Sequence, residues 1–254
     1  MLKVTLIGTG NISKFLFKVL SDHPEVAIVQ VLGRSDKALE HFRDRTAVSI
    51  DLREIKKADV YILAISDEAI GEVAHSLEIG SGLLVHTAGS IPMEVLPARV
   101  RRGVLYPLQT LSGILPEKMM DIPICIEASE EEDYLILEKL AHFISPRVEH
   151  INSDQRKHLH LAAVFANNFS NHLFFLSSEI CEDHGVDFDL IRPLIRESYT
   201  KVLSQSPYDA QTGPARRGDN KTMDAHLEML RSPRLKEIYE LLSKSIQNTY
   251  GKEL

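Results

Sequence analysis

The stretch that decides the fold is KVTLIGTGNIS, residues 3–13. Its apolar run Lys3 to Ile7 predicts a buried first strand, and Lys14 to Ser21 has the pattern of a helix. Between them stands G-x-G-x-x-S, a glycine turn of the kind that places a dinucleotide pyrophosphate at a helix N-terminus. The alternative is a turn whose glycines serve packing alone. The cofactor-binding interpretation assigns this role to Gly8, Thr9, Gly10, Asn11 and Ile12.

The end of the second predicted strand, Leu32-Gly33-Arg34-Ser35, bears on the choice of dinucleotide. An acid at this position binds a ribose 2′-hydroxyl, whereas a basic residue accommodates a 2′-phosphate. Arg34 can face the phosphate, and Ser35 and Lys37 can add donors. We therefore expect NADP in preference to NAD. In the alternative interpretation Arg34 is solvated and Asp36 takes the hydroxyl.

The first half alternates short apolar runs with helical stretches, which predicts an α/β, Rossmann-type doubly wound and mostly parallel sheet. After residue 151 the pattern is helical throughout, so we expect an all-helical C-terminal domain. The predicted division is an NADP-binding domain over residues 1–152 and a helical substrate and dimerisation domain over residues 153–254. The predicted strands are Lys3 to Ile7, Val26 to Leu32, Ala47 to Ile50, Val60 to Ile65, Leu83 to His86, Val104 to Tyr106, Ile122 to Glu127 and Val148 to Ile151.

The helical half begins with one unusually long predicted helix. It starts at Ser153 and stops near His184, where Gly185 follows. Further helices are predicted from Phe188 to Ser204, Asp219 to Leu230 and Pro233 to Asn248, with a long polar loop from Pro207 to Gly218.

Composition and charge exclude several classes of protein. Of 254 residues, 44% are hydrophobic and 26% are charged, which is typical of a folded globular chain and not of a membrane-spanning one. The net charge of −7 is a poor match for nucleic acid. Cys125 and Cys181 lack CxxC spacing and the N-terminus does not resemble a signal peptide, so we expect a cytoplasmic protein without a metal site.

Small and polar residues follow the fourth, fifth and sixth predicted strands. Ligands of open α/β sheets lie outside the carboxyl ends of the strands, so these residues should surround the nicotinamide. Ser66 and Ser90 are the predicted members of that pocket. Asp67 and Ser90 have the alternative role of helix or turn caps. His86, which ends an apolar strand, is more simply a core histidine than a catalyst.

The long helix and the loop after residue 212 hold the remaining candidates. His160, Asn167 and Asn171 fall within one arc at 100° per residue, with Asn168 beside it, and buried amides need partners. We predict His160 as proton donor, Asn168 as its orienting or substrate-binding partner, and Arg217 as an anion clamp, with Arg216 and the helix cap Asp219 nearby. The alternatives are a core histidine, an amide ladder between helices and solvated arginines.

Several motifs together resemble a known family: Rossmann-like proteins with a C-terminal domain of unknown function, related to pyrroline-5-carboxylate reductase and the 6-phosphogluconate dehydrogenase-like superfamily. The resemblance covers nearly the whole chain and implies an NADP-binding domain, a helical domain that often dimerises, and an oxidoreductase activity without an assigned substrate. Its carriers are GTGNIS (8–13), LAISDEAI (63–70), HTAGS (86–90), YPLQT (106–110), HLAAVFANNF (160–169) and TGPARRGD (212–219).

One departure from the superfamily concerns mechanism. Its β-hydroxyacid dehydrogenases carry a Lys and an Asn one helical turn apart, but here Ala163 and Val164 lie four residues before Asn167 and Asn168. His160 is the nearest titratable substitute. The sequence therefore predicts an oxidoreductase that transfers a hydride between NADP and a small, anionic carbonyl or imine compound. The alternative is a non-catalytic dinucleotide sensor or partner-docking protein.

The apolar residues of the long helix also predict an assembly. A helix of roughly 30 residues spans ~45 Å, more than a small helical domain covers by itself. Its large apolar side chains lie all around the helix, so we expect a homodimer through the C-terminal domain. They are Phe165, Phe169, Leu173, Phe174, Phe175 and Leu176.

Overall fold

The computed structural model describes residues 1–111 and 122–251. Within these ranges eight strands form one sheet in the order β3-β2-β1-β4-β5-β6-β7-β8. The strands are β1 (Leu2–Ile7), β2 (Val26–Leu32), β3 (Ala47–Ser49), β4 (Val60–Leu63), β5 (Leu83–His86), β6 (Arg102–Pro107), β7 (Ile124–Ala128) and β8 (Val148–His150).

The pairing of the strands confirms the predicted mostly parallel sheet. Every pair from β3 through to β6 is parallel, as is β7 with β8, whereas β6 and β7 run antiparallel with Gly103 opposite Ala128. Each predicted strand is present, with ends that differ by at most two residues. The carboxyl ends of β1, β4 and β5 therefore lie along one edge, where a ligand of such a sheet is expected.

Helices cover both faces of the sheet. They are α1 (Asn11–Ser21), α2 (Asp36–Arg43), α3 (Ile70–Ser76) and α4 (Glu131–His142). Leu6 and Ile62 share a buried cluster with Leu16 of α1, whereas Leu63 clusters with Ile70 of α3. Alternate strand residues thus enter two separate cores, which explains why the central strands are apolar without alternation.

The remaining chain is helical as predicted, with two corrections. Its elements are α5 (Ser153–Ala163), a π-helical segment (Val164–Phe169), α6 (Ser170–Asp183), α7 (Arg192–Ser204), α8 (Pro207–Ala210), α9 (Pro214–Arg217), α10 (Asn220–Met229) and α11 (Pro233–Tyr250). The predicted long helix is present as one continuous helical run over residues 153–183, but its middle, Val164–Phe169, is π-helical instead of α-helical, which the sequence pattern did not predict. The predicted polar loop is wrong, because it contains α8 and α9. Each of these short helices begins at a proline, a residue well suited to the first helical position.

The chain divides into two compact units, Met1–Ala166 and Asn167–Leu254. Helix α5 belongs to the first unit, since its Arg156 is bonded to the sheet. The functional division proposed at residue 152 from the sequence stays a prediction. No helix in the part of the chain that is described is both long and apolar enough to cross a membrane.

Candidate functional site

The glycine turn between β1 and α1 depends on Gly8. Gly8 has φ +123°, and a Cβ there would lie 2.0 Å from the Ala64 carbonyl oxygen, so no other residue fits without strain. The buried Ser13 hydroxyl donates to the Gly8 carbonyl at 2.7 Å. Ser13 therefore closes the turn from the position where a third glycine or alanine is usual.

Gly10 has a different reason to be glycine. It is the N-cap of α1, no side chain caps the helix, and a Cβ on Gly10 would meet no atom within 4 Å. The packing of the protein therefore does not require glycine here. An uncapped helix N-terminus beside open space has the geometry of an anion site, which fits a pyrophosphate. Asn11 also lines this opening, and its side-chain amide donates to the Leu111 carbonyl at 2.7 Å.

A cavity of about 610 Å³ opens in front of this turn. Thr9 and Ile12 line it together with the glycines, Arg34 and Ser66 contribute polar groups, and the remaining surface is mainly apolar. Its apolar lining includes Ile7, Leu32, Ile50, Leu52, Ala64, Ile65, Ala69 and Val73. The cavity thus combines a phosphate cradle with apolar walls that suit a flat base, as a dinucleotide requires.

The tip of β2 places a cation at this cavity. Arg34 is exposed, and no hydrogen bond or ion pair holds it among residues 1–111 and 122–251. Asp36 forms an ion pair with Arg43 at 3.0 Å. In the alternative interpretation, the ribose hydroxyl would therefore have to compete with Arg43 for Asp36. The Ser35 hydroxyl accepts from the Ala38 N–H at 3.4 Å and caps α2. Ser35 and the exposed Lys37 are not among the residues that line the cavity, and their contacts to a cofactor stay predictions.

Ser66 and Ser90, the predicted nicotinamide-pocket serines, have different surroundings. Ser66 lines the cavity, whereas the Ser90 hydroxyl donates to Asp67 Oδ2 at 2.5 Å. The cap roles considered for Asp67 and Ser90 are wrong. Ser66 is the N-cap of the short 3₁₀ turn at Asp67–Ala69, and Pro92 precedes the next one.

His86 is a core histidine. It is fully buried, and its Nδ1 accepts from the Ala88 N–H at 3.2 Å. Burial, followed by the nearby Arg156 charge, lowers the pKa of His86 to about 3, although the Pro92 carbonyl acts in the opposite direction. The ring is neutral at physiological pH, which favours the structural interpretation over catalysis.

His160 lies near the carboxyl ends of β5 and β6, against Tyr106 and the loop after β5. It is not among the residues that line the cavity, and its role as proton donor stays a prediction. Its Nδ1 is 3.0 Å from the hydroxyl oxygen of Tyr106, and the rings meet edge to face with centroids 6.1 Å apart. A Cβ on Gly89 would lie 2.7 Å from His160 Nδ1 and 2.8 Å from Tyr106 Cζ. The loop after β5 therefore packs directly against this pair. Tyr106 and Gly89 belong to the motifs YPLQT and HTAGS, but neither was predicted from the sequence to contact His160.

A buried ion pair anchors α5 to the sheet one turn before His160. The Arg156 guanidinium, fully buried, donates to Glu127 on β7 and at 2.6 Å to the Ile91 carbonyl. Ser153 donates to the same carboxylate through its backbone N–H at 2.9 Å and its hydroxyl at 2.8 Å. The network ties α5, β7 and the loop after β5 together, and so determines where His160 stands.

The other predicted polar residues lie in the second unit. Asn167, Asn168 and Asn171 are exposed, so the expectation that these amides share a buried face is wrong for the single chain. Asn167 and Asn168 lie in the π-helical segment, a distortion that is frequent at functional sites. Their roles stay predictions.

Arg216 and Arg217 differ in their surroundings. Arg216 donates to the Gln211 carbonyl and stacks over Tyr250 at 5.0 Å, so it serves the structure of its own unit. Arg217 is exposed and has no bonded partner within the described part of the chain, which leaves it available as the anion clamp that the sequence predicts. Asp219 caps α10 by accepting from the Thr222 N–H at 3.1 Å, as predicted.

Comparison with known proteins identifies the family and the fold. Residues 122–246 match the model of a domain of unknown function, DUF2520. No curated protein matches the chain. Among solved structures, the "putative NADP oxidoreductase BF3122 from Bacteroides fragilis" is 39% identical, with 97% of this chain and 98% of that chain covered and a TM-score of 0.88.

Two more distant structures share the fold. A reductive aminase from Aspergillus terreus in complex with NADPH and ethyl levulinate is 14% identical, with 99% of this chain and 95% of that chain covered and a TM-score of 0.72. A pyrroline-5-carboxylate reductase from Coxiella burnetii is 16% identical, with 99% and 98% covered and a TM-score of 0.58. The identity and coverage with BF3122 show that the chain belongs to the Rossmann-fold NADP oxidoreductase family that this protein represents, and it carries the DUF2520 domain in its C-terminal half.

Proposed function

We propose that the protein is an NADP(H)-dependent oxidoreductase that transfers a hydride to or from a small, anionic carbonyl or imine compound. The observation that carries the proposal is one cavity with an uncapped helix N-terminus at Gly10 on one side and the unpartnered Arg34 on another. Two anionic groups of NADP, its pyrophosphate and its 2′-phosphate, match these two positions. The names of BF3122, the reductive aminase and the pyrroline-5-carboxylate reductase agree with this class of reaction.

In the proposed reaction, different residues of the chain bind the cofactor, bind the substrate and transfer the proton. Gly8, Gly10 and the first turn of α1 bind the pyrophosphate, Arg34 binds the 2′-phosphate, and Ser66 lies toward the nicotinamide. When bound, the cofactor supplies the hydride chemistry. His160 exchanges the proton with the carbonyl oxygen or imine nitrogen, because an imidazole is suited to proton transfer near neutral pH. Asn168 and Arg217 are the proposed substrate-binding partners.

The test is the oxidation of NADPH, followed by absorbance, over a panel of keto acids and cyclic or acyclic imines, together with the reverse reaction on hydroxy acids and amines. Turnover of at least one anionic member supports the proposal. Tight NADPH binding without turnover on any member would favour the sensor alternative, which the absence of a superfamily-type lysine keeps open. Failure to bind NADPH would overturn both.

The role of His160 has its own test. The His160→Ala variant should retain NADPH affinity and lose turnover by ~10²-fold or more. If His160 were only a packed histidine, this variant would lose stability while its folded fraction kept the turnover of the unmodified protein. Urea unfolding and kinetics on the same preparation separate the two outcomes.

We further propose that the protein is a cytoplasmic homodimer formed through its helical half. Phe169 and Phe175 are half exposed, at 50% and 52%, and Leu203 is 88% exposed. A subunit interface through this half would remove such side chains from water. Leu176 is buried and does not contribute. The free, buried Cys125 and Cys181 are compatible with a reducing compartment. Light scattering at micromolar concentration should give twice the chain mass, and a monomer would contradict the proposal.

A further inference from the structure

We propose that Tyr106 is a positioning residue that holds the His160 ring with its proton on Nδ1, so that Nε2 is the nitrogen that exchanges a proton with the substrate. The inference rests on the proposed function and deepens it, because it names the atom of His160 that acts and the residue that selects it.

The geometry around the ring leaves one nitrogen available. Nδ1 of His160 lies 3.0 Å from the Tyr106 hydroxyl, within hydrogen-bond distance. The Gly89 backbone closes the ring on the same side, because even a methyl group at that position would come within 2.7 Å of Nδ1. Tyr106 is itself 8% exposed and clusters with Met93, Val104 and Cys125. The phenol is therefore a fixed partner, and Nε2 is the only ring nitrogen left for a substrate.

The protonation state of Tyr106 determines which hydrogen bonds its hydroxyl can form. Burial raises the pKa of Tyr106 to about 12; Cys125 and Asp67 also raise it, and Arg156 acts in the opposite direction. The phenol therefore remains protonated and neutral at physiological pH. Its oxygen can accept a hydrogen bond from Nδ1–H without becoming a competing base.

Proton balance selects the direction of this hydrogen bond. A protonated imidazole carries hydrogen on both nitrogens, so Nδ1–H must donate to the Tyr106 oxygen. In the reductive direction a bound reduced cofactor would supply the hydride to the substrate carbon, and the Nε2 proton of His160 goes to the substrate oxygen or nitrogen. The ring that remains is neutral, with its proton on Nδ1 and its hydrogen bond to Tyr106 intact.

The opposite arrangement is unproductive. If the neutral ring carried its proton on Nε2 and accepted from the Tyr106 hydroxyl, giving up that proton would leave an anionic imidazole. In the oxidative direction the same ring would have no free Nε2 to accept a proton. Tyr106 thus acts as an orienting partner of a catalytic histidine. Its hydrogen bond at Nδ1 determines whether Nε2 is free to exchange a proton.

Nitrogen NMR of the apo protein tests the tautomer without cofactor or substrate. In protein labelled with ¹⁵N-histidine, the His160 signals are identified by their absence from the His160→Gln spectrum. In the neutral ring, we expect the His160 proton on Nδ1 in the unmodified protein. In Tyr106→Phe we expect a change to the Nε2 tautomer. A wild-type proton on Nε2, or identical His160 tautomers in the two proteins, would overturn the proposal. Neither result depends on turnover, so this test and that of the proposed function can fail separately.

Kinetics with a substrate identified in the panel give a second test. Tyr106→Phe should lower kcat by ~10-fold to 10²-fold with little change in KM, because the ring is misdirected while the binding groups remain. Gly89→Ala should have the same effect, since its methyl group displaces His160 without removing a functional group. Gly80→Ala is the matched control, because a Cβ there meets nothing within 4 Å. Full kcat in folded Tyr106→Phe would contradict the inference.

Discussion

Replacing Glu127 by glutamine should destabilise the protein far more than an ordinary change of charge. The Glu127 carboxylate is 6% exposed and receives hydrogen bonds from Arg156 and from both the backbone and hydroxyl of Ser153. Arg156 is completely buried. The substitution keeps the shape of the side chain but leaves a guanidinium charge in the core without its counterion.

The magnitude follows from that uncompensated charge. Removing one member of a buried ion pair typically costs about 3–5 kcal/mol, a large part of the ~5–15 kcal/mol that holds a typical domain folded. Arg156→Met should cost a similar amount, because it leaves the carboxylate unpaired. The double variant Glu127→Leu/Arg156→Met should lose much less than the sum of the single changes, since no buried charge remains.

Urea unfolding at pH 7 measures these costs, with Glu25→Gln as the control. Glu25 pairs with Lys139 at 2.6 Å, but both side chains are more than half exposed, so the unfolding midpoint should hardly change. A Glu127→Gln protein as stable as the control would refute the reasoning that a buried ion pair anchors α5. The destabilised but folded variant should also lose kcat, because α5 carries His160.

Other predictions concern the glycine turn and His86. Gly8→Ala should destabilise the fold by about 2 kcal/mol or more, because it combines a clash with a positive φ. Gly10→Ala should fold normally, because a Cβ there meets no atom of the protein, yet bind NADPH at least tenfold more weakly. Equal effects of the two changes on urea midpoint and calorimetric affinity would contradict this distinction. The folded pKa of His86 lies below its unfolded value, so the unfolded chain binds the proton first and stability falls as the pH drops from about 6.5 toward 3. Between pH 7 and pH 5 the free energy of unfolding, measured by urea titration, should fall more for the unmodified protein than for His86→Asn, by at most about 1.4 kcal/mol per pH unit. Equal falls in the two proteins would contradict the assignment.

The fold could be read from the sequence because its signals are local. The glycine turn follows a strand directly, and runs such as Val60 to Leu63 are apolar throughout because both faces of the sheet are covered. The cavity residues Gly8, Gly10 and Arg34 could also be predicted from the sequence. They follow the ends of β1 and β2, which the Rossmann topology brings together. What local patterns did not reveal was the π-helical segment at Val164–Phe169, or that Pro207 and Pro214 begin short helices within a polar stretch.

The surroundings of the candidate catalytic histidine required the structure. Tyr106 and His160 are 54 residues apart and Glu127 and Arg156 are 29 apart, so no spacing rule joins them. One signal was present: Glu127 is an acid in the otherwise apolar strand Ile124–Ala128, and a buried charge there requires a partner. The sequence offered no means of identifying Arg156 as that partner.

The most direct test of the central claim is calorimetric titration of the purified protein with NADPH and with NADH. Arg34 at the cavity should make NADPH bind at least tenfold more tightly, and Arg34→Asp should reverse the order, because a carboxylate repels the 2′-phosphate and accepts from the 2′-hydroxyl. Equal affinity of the unmodified protein for the two dinucleotides, or an unchanged preference in Arg34→Asp, would contradict the account.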